Sequence, residues 1–561
     1  MAVATDALEC QTYAVGAACL VQDLLRRLDV VGTIDRALSS QPDLPVTYGT
    51  LAQVLIVNRM SFDPQPLYQL GPWAAQHGLD RLFGIEAAWL DDDRLGGMLE
   101  RLADRQVTIW SQLVQTALDR FPLARDWLHA DTTSVYFEGS YHPTGVAAGS
   151  EEAPVPRLLR GYNKDGHPEN LQMVLSLVTT GRVPLWYRPW DGNQSDDAVY
   201  LADLTAMRNH LLAPDNAVLI GDSKLGSEAT MLACCRQRQQ FLTAHSWTKT
   251  VRSLWVQTKT KIEAGKLAWQ AVAYRSRNDE GKPEEAVPQY QVVEVSRDLL
   301  DEETGRAYPL RWIFVHSSHK ATQDAERRQR AVSAGEAALL QIAGRLGKYG
   351  YTSRAGIERR LEAALKKAKA HAYYRYTLSG EEVSREWELR WERNEEALEQ
   401  AARFDGVTVL CTNTAPERLS AEGAMRKYRE QVCVEQTIDF IKSPVQIRPM
   451  WLHKPKRLAG LTLLIMIAVL LAGLLEAAVR HWIRETGCLV TGLKPEGRDN
   501  PYPTAKAMLR AFGDYTLVVI EQAGGQKTVH YPKLRPVQQQ IWDILKLPPL
   551  PGQLVPAGSG K

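Results

Sequence analysis

The sequence predicts an α/β protein of several domains, and three observations carry this prediction. The chain has 561 residues, more than one hydrophobic core usually organises, so three or four domains are expected. Between residues 125 and 245, runs rich in β-branched and aromatic residues alternate with segments of helical periodicity. Hydrophobic residues make up 45% of the chain and charged residues 24%, as in ordinary globular proteins.

Net charge and cysteine content limit the partners and the compartment. The formal net charge is +2, so any affinity for nucleic acid must come from local basic patches. The seven cysteines form no CxxC pair, which argues for a reducing compartment and against a zinc site. The N-terminus shows no basic stretch followed by an apolar run, so no secretion signal is expected.

Residues 1–118 are predicted to be mostly helical, with loops at "QPDLP" and "SFDPQP". This segment contains no chemical motif. A small helical domain for DNA binding or dimerisation and a plain structural scaffold both fit it.

Residues 119–245 hold the element order on which the fold prediction rests. Three strands come first, followed by a helix, a strand, a second helix and a fifth strand. Their ranges are 127–137, 171–180, 183–190, 196–212, 216–222, 226–238 and 240–245. This β-β-β-α-β-α-β order is that of the ribonuclease H-like fold, in which the first and fourth strands lie side by side.

Two carboxylates occupy unusual places in this pattern. Asp131 lies inside the first strand and Asp222 ends the fourth. Asp is depleted in strands and is rarely buried unless it is paired or bound to metal. Because the first and fourth strands are expected to be neighbours, the two carboxylates should meet at one end of the sheet.

The rest of the chain is predicted to interrupt and then complete this core. Residues 246–425 mix strand-like runs with long charged helices and form a mixed β/α insertion domain; residues 426–490 return to the core, and 491–561 form a small C-terminal extension. The helix within 355–372 is basic on one face, which fits either a solvated face or a DNA contact.

One apolar segment raises the question of a membrane. Residues 458–475 are 18 residues without a charge, near the lower limit for a membrane span, and the basic "HKPKR" precedes them. We favour a helix buried on all sides within the core and expect no membrane association, because polar, charged sequence lies close on both sides.

Tyr428, Glu435 and Lys442 follow one another at steps of seven residues. Two helical turns separate each pair, so we expect all three on one helix face. They can then contact a phosphate, a metal and another phosphate in sequence, although an ordinary amphipathic helix with chance polar spacing fits the same pattern.

These blocks together resemble the DDE transposases of bacterial insertion sequences. The third block of the insertion sequence four superfamily is Tyr, two residues, Arg, three residues, Glu, six residues, Lys. The chain matches it at Tyr428, Glu435 and Lys442 and departs from it at Gln431, where Arg is usual. The segments "GYNKDGHPENLQ", "GNQSD", "VEQTIDFIKSPVQIRP" and "PTAKAMLRAF" are most similar to the insertion sequence sixteen-thirty-four type.

The resemblance implies that Asp131, Asp222 and Glu435 are the catalytic carboxylates. Three convergent carboxylates can hold two Mg²⁺ or Mn²⁺ ions about 4 Å apart. One ion activates the attacking water or 3′-hydroxyl and the other stabilises the leaving oxygen. We interpret His129 as a packing or supporting residue and not as a ligand.

The resemblance and the basic run before the apolar segment predict the DNA contacts. These candidates are Tyr428, Gln431, Lys442, Arg448, Lys454, Lys456 and Arg457. The basic run can grip phosphates, but a solvated loop is the alternative. Trp190 and Trp247 can stack on a base, although core packing fits them better.

The implied protein is a cytoplasmic, nucleoid-associated transposase that acts on double-stranded DNA, as a homodimer in the complex with two transposon ends. It would bind terminal inverted repeats, cleave at the ends and join the 3′-hydroxyls to target DNA. A metal-dependent nuclease of the same fold and a non-catalytic DNA-binding derivative remain open. Inverted repeats flanking the gene would favour the transposase over the nuclease.

Overall fold

A computed structural model describes most of the chain in two compact units. The described residues are 9–39, 45–137, 154–163, 166–195, 199–276, 279, 282–348, 350–442, 452, 454–494, 496–521 and 527–550. The first unit comprises Met1–Phe241 and Arg429–Lys561, and the second comprises Leu242–Tyr428.

The elements up to residue 245 alternate a helical N-terminal part with the first strands of the core. The helices are α1 (Ala18–Arg27), α2 (Val30–Leu38), α3 (Tyr48–Met60), α4 (Leu70–Gln76), α5 (Leu79–Phe83), α6 (Asp92–Ala103), α7 (Gln106–Arg120), α8 (Val199–Asn209) and α9 (Glu228–Arg236). The strands are β1 (Glu9–Tyr13), β2 (Trp127–Phe137), β3 (Leu171–Thr180), β4 (Val183–Trp190), β5 (Val218–Gly221) and β6 (Gln240–His245).

The middle and the end of the chain supply the remaining elements. Between residues 249 and 429 these are α10 (Lys249–Glu263), β7 (Gln270–Val272), β8 (Tyr290–Leu300), β9 (Ala307–Ser317), α11 (Ser318–Ala343), α12 (Arg354–Lys367), β10 (Tyr374–Glu381), β11 (Glu386–Arg393), α13 (Glu395–Ala402), β12 (Val407–Thr412) and α14 (Ala421–Arg429). They are followed by α15 (Val432–Lys442), α16 (Pro455–Thr486), α17 (Ala505–Ala511), β13 (Leu517–Glu521), β14 (Lys527–His530) and α18 (Pro536–Ile544).

The strand order of the first unit is β4-β3-β2-β5. β4, β3 and β2 are antiparallel, whereas β2 and β5 are parallel. The prediction that the first and fourth core strands are neighbours is therefore confirmed. Buried residues run almost without interruption along β3 and β5, as expected for strands covered on both faces.

In the second unit the strand order is β6-β12-β9-β8-β7, with antiparallel pairing from β6 to β7. A separate hairpin of β10 and β11 packs with α11 and α12 around a small apolar core that includes Leu339, Ile357 and Leu361. The basic residues of α12 lie on its outer side, so both interpretations of that face stay open.

The two ends of the chain form one sheet. β1 pairs antiparallel with β13, and β13 pairs with β14. The Arg27 guanidinium also donates a 2.5 Å hydrogen bond to the carbonyl of Leu545, just beyond α18. The structure thus joins the predicted N-terminal domain and C-terminal extension, which the sequence analysis treated as separate parts.

The apolar segment forms α16, a helix buried within the first unit. It is long and apolar enough to cross a membrane, but every residue of its apolar window is buried. It packs against α3, α6, α7 and β4. A single helix of this kind is weak evidence for a membrane span, and its burial agrees with the predicted core helix.

Glycine residues allow α16 to approach its neighbours closely. A Cβ atom at Gly460 would lie 2.0 Å from the carbonyl oxygen of Leu99 in α6, and one at Gly473 would lie 2.6 Å from that of Arg182. No side chain fits at such a distance, so the packing of α16 requires glycine at these positions.

We predict that Gly460→Ala destabilises the first unit by about 1–3 kcal/mol, because the added methyl group forces α16 away from α6. Gly97 of α6 is the matched control, since a Cβ atom there meets nothing within 4 Å. Gly97→Ala should stabilise the protein by about 0.5–1 kcal/mol through helix propensity. Urea unfolding of both variants measures the difference, and equal stability of Gly460→Ala and wild type would contradict this packing.

Candidate active site

The register of β2 and β5 places the two candidate aspartates at the same level. The last parallel pair is His129 with Ile220. Asp131 and Asp222 each lie two residues beyond that pair, on neighbouring strands. Because parallel strands advance by the same rise per residue, Asp131, within β2, lies beside the end of β5, which Asp222 directly follows.

Asp131 points toward helix α15. Alternate residues of a strand face the same side, so Asp131 shares a face with His129. The His129 ring is buried, and its Nδ1 atom lies 3.1 Å from Oε1 of Gln431, the residue that directly precedes α15. α15 packs against β2 and β3. The face that carries Asp131 is therefore the face covered by α15.

Gln431 attaches the start of α15 to β2. Its Nε2 atom donates a 2.9 Å hydrogen bond to the carbonyl of Ala130, and its side chain is only 6% exposed. Glu435 lies one turn later, with its amide donating to the carbonyl of Gln431 at 3.4 Å. Glu435 is exposed and lies in the first turn of α15, which the Gln431 bonds hold against β2.

Asp222 is held by two donors. The hydroxyl group of Tyr200 donates to Oδ1 of Asp222 at 2.8 Å, and the amide of Lys224 donates to the same oxygen at 3.0 Å. Tyr200 belongs to α8 and is 2% exposed. Tyr200 is not among the site residues that the sequence predicts, although a buried tyrosine usually needs a partner for its hydroxyl group.

The surroundings of Glu435 disfavour the charged form of its carboxylate. Desolvation, with a smaller contribution from the charge of Asp439, raises the pKa of Glu435 above its usual range. A bound cation acts in the opposite direction, because it favours the charged carboxylate.

The donor chemistry of the three carboxylates fits a hard divalent cation such as Mg²⁺. Within the described ranges, however, no group of three His, Cys, Asp or Glu residues is gathered closely enough to hold one ion. The structure brings Asp131 and Asp222 to adjacent strands and attaches the helix of Glu435 to β2, without closing a three-ligand site.

The predicted alignment of Tyr428, Glu435 and Lys442 on one helix is wrong for Tyr428. α14 ends at Arg429 and α15 begins at Val432, with a turn between them. The amides of Cys433 and Val434 bond to the carbonyls three residues earlier, at 2.9 and 3.1 Å, and Gln431 bonds to β2. Glu435 and Lys442 share α15. The proposed DNA contacts of Tyr428, Gln431 and Lys442 stay predictions.

The described part of the basic run forms ion pairs with α6. Glu100 accepts from Lys454 at 3.0 Å and from Arg457 at 2.8 Å, while Lys456 lies 2.7 Å from Asp104. The hydrogen bonds from Arg457 and Lys454 lower the pKa of the Glu100 carboxyl. These contacts attach the first turn of α16 to α6, so a phosphate would have to compete with two carboxylates.

The remaining candidates for DNA contact are one residue of the basic run and two tryptophans. Arg448 lies outside the described residues. Trp190 donates to the Ser176 hydroxyl at 2.8 Å, and the guanidinium of Arg188 lies 4.4 Å from its ring. In the second unit, the Trp247 ring packs against Phe314 and Phe404. These contacts agree with the interpretation of both tryptophans as packing residues.

Solved structures with some similarity to the chain are complexes of the Mos1 transposase. The crystal structure of the Mos1 strand transfer complex is 14% identical, and the match covers 40% of this chain and 66% of that chain with a TM-score of 0.15. For a pre-cleavage Mos1 transpososome the identity is 11%, the coverages are 36% and 60%, and the TM-score is 0.14. The chain thus spans less than two thirds of either protein.

Family comparisons give a clearer result. No curated protein matches the chain. Residues 10–115 match a domain of unknown function (DUF4277), and residues 131–471 match the family described as transposase DDE domain. The second match begins at Asp131 and covers more than half of the chain. The chain therefore belongs to the family of transposases with a DDE domain.

Proposed function

We propose that this transposase binds the terminal inverted repeats of an insertion sequence, cleaves DNA at the element ends and joins the 3′-hydroxyls to target DNA. The element would be of the insertion sequence four superfamily, sixteen-thirty-four type. One observation carries the proposal. The β2–β5 register puts Asp131 beside the end of β5, which Asp222 directly follows, and α15, the helix that carries Glu435, packs against β2.

Asp131, Asp222 and Glu435 would hold two Mg²⁺ or Mn²⁺ ions. When bound, such ions supply activation of the attacking hydroxyl and stabilisation of the leaving oxygen. The chain itself supplies orientation. Tyr200 and the Lys224 amide fix Oδ1 of Asp222, and the Thr132 amide donates to Oδ1 of Asp131 at 2.7 Å.

The partner is double-stranded DNA, and the assembly is a homodimer with one carboxylate trio for each end. Tyr428 and Lys442 would contact phosphates near the transposon end. Lys454, Lys456 and Arg457 would contribute only where DNA displaces their ion pairs with α6. The protein would act in the cytoplasm, associated with the nucleoid.

We predict that Glu435→Gln abolishes end cleavage while end binding persists. The loss should be at least roughly 100-fold, since even residues that support metal ligands contribute 10–100-fold. The assay uses purified protein and a labelled duplex that carries the element's end, with Mg²⁺ or EDTA. Binding is measured by mobility shift and cleavage by denaturing electrophoresis.

Asp439→Asn is the matched control for Glu435→Gln, because it removes a negative charge one turn later on α15 and should keep cleavage. Nicking without joining to a target duplex would identify a nuclease of the same fold. If wild type binds the end and never cuts with Mg²⁺ or Mn²⁺, the chain is a non-catalytic DNA-binding derivative and the proposal fails.

We predict that Tyr200→Phe lowers the cleavage rate by about 10–100-fold and raises the Mg²⁺ concentration needed, because Asp222 loses a donor that orients it. End affinity should not change. Tyr187→Phe is the matched control, since Tyr187 is also buried and its hydroxyl has no hydrogen-bond partner among the described residues. Equal Mg²⁺ dependence of the two variants would contradict the assigned role of Tyr200.

A further inference from the structure

We propose that Gln431 and His129 act as a coupled positioning pair, which sets the start of α15 so that Glu435 lies opposite Asp131. This inference rests on the proposed function, because it gives the pair a purpose only if Glu435 is a metal ligand. Neither residue touches the reacting atoms, so both act through the carboxylates.

Three features of Gln431 carry the proposal. Both polar atoms of its side-chain amide make a contact. Nε2 donates to the Ala130 carbonyl, and Oε1 lies 3.1 Å from Nδ1 of His129. The two contacts reach consecutive residues of β2, directly before Asp131. Both side chains are buried, with 6% of Gln431 and 2% of His129 exposed. A doubly bonded, buried amide fixes orientation as well as distance.

The position of this contact in the chain matters for Glu435. Gln431 lies at the turn between α14 and α15, where the helical hydrogen bonding is interrupted. Without the two contacts of Gln431, fewer interactions hold the first turn of α15 against β2. Glu435 belongs to that turn, so a small shift there moves a carboxylate whose distance to a metal ion must be kept within about 0.5 Å.

Hydrogen-bond chemistry couples the two residues. Oε1 of Gln431 is an acceptor, so the contact requires the proton of His129 on Nδ1. An arginine, the residue usual at this position of the third block, carries donors only and cannot accept that proton. Gln431 and His129 are therefore matched to each other, and Gln431→Arg in this chain should impair the site.

The test is a double-mutant cycle of Gln431→Met and His129→Phe with two readouts. The first is Mn²⁺ affinity of the DNA-free protein, measured by calorimetry, and the second is the cleavage rate on the element's end. Each single variant should weaken Mn²⁺ binding and cleavage by roughly 10–100-fold, the range for residues that orient metal ligands. Both substitutions remove the Gln431–His129 contact, so the double variant should lose less than the product of the two single losses, and Gln431→Met should lose more than His129→Phe because it also removes the bond to Ala130.

Gln436→Met is the matched control, since it makes the same exchange five residues later, within α15, at a half-buried side chain without a hydrogen bond in the described structure. It should keep wild-type Mn²⁺ affinity. Gln431→Arg is the second variant if Gln431→Met does not fold, because it retains a donor for the Ala130 carbonyl. It should show weakened Mn²⁺ binding with a thermal midpoint close to that of wild type.

Wild-type Mn²⁺ affinity in Gln431→Met and Gln431→Arg would overturn the inference, and so would losses that multiply in the double variant. The two proposals fail in different ways. A wild type that binds Mn²⁺ without cutting DNA contradicts the proposed function. The Mn²⁺ affinities of the variants still test whether Gln431 and His129 position the site. A wild type that does not bind Mn²⁺ at all contradicts both.

Discussion

Parallel pairing of β2 with β5 is the constraint on which the candidate site depends. Parallel neighbours cannot be joined by a tight turn, so the chain must build β3, β4 and α8 before β5 returns beside β2. This connection puts Asp131 and Asp222, which are distant in sequence, at one level of the sheet. It also puts Tyr200 of α8 within hydrogen-bonding distance of Asp222.

The apolar face of the sheet must be shielded from water, and α16 packs over part of it. This helix is apolar on all sides because helices of the N-terminal part, β4 and α15 all pack against it. Its first turn carries the basic residues that the sequence analysis assigned to DNA, and the structure pairs them with Glu100 and Asp104. Charge alone therefore does not identify a DNA contact, since the same residues can attach one helix to another.

Local patterns were sufficient for part of this structure. Alternation and β-branched content gave the strands of the core, and their order gave the neighbouring positions of β2 and β5. An uninterrupted apolar run gave α16. The family match from residue 131 onward supports the DDE assignment that the spaced blocks suggested, while the individual site residues and the finer family type remain proposals.

Contacts between side chains distant in sequence were beyond such patterns. The bonds of Gln431 to β2 join residues about 300 positions apart, and no local period encodes them. The break between α14 and α15 has the same origin, because seven-residue spacing does not reveal a turn at Gln431. The pairing of β1 with β13 brings together the two ends of the chain, which composition and periodicity treat separately.

The most direct test of the central claim maps the metal site on the protein itself. Fe²⁺ is substituted for Mg²⁺, ascorbate and peroxide generate hydroxyl radicals at the bound ion, and the resulting backbone breaks are located by mass spectrometry. A shared site predicts breaks near Asp131, Asp222 and Glu435 together, all suppressed by excess Mg²⁺. Breaks confined to one of these segments, or breaks that Mg²⁺ does not suppress, would contradict a metal site built from the three carboxylates.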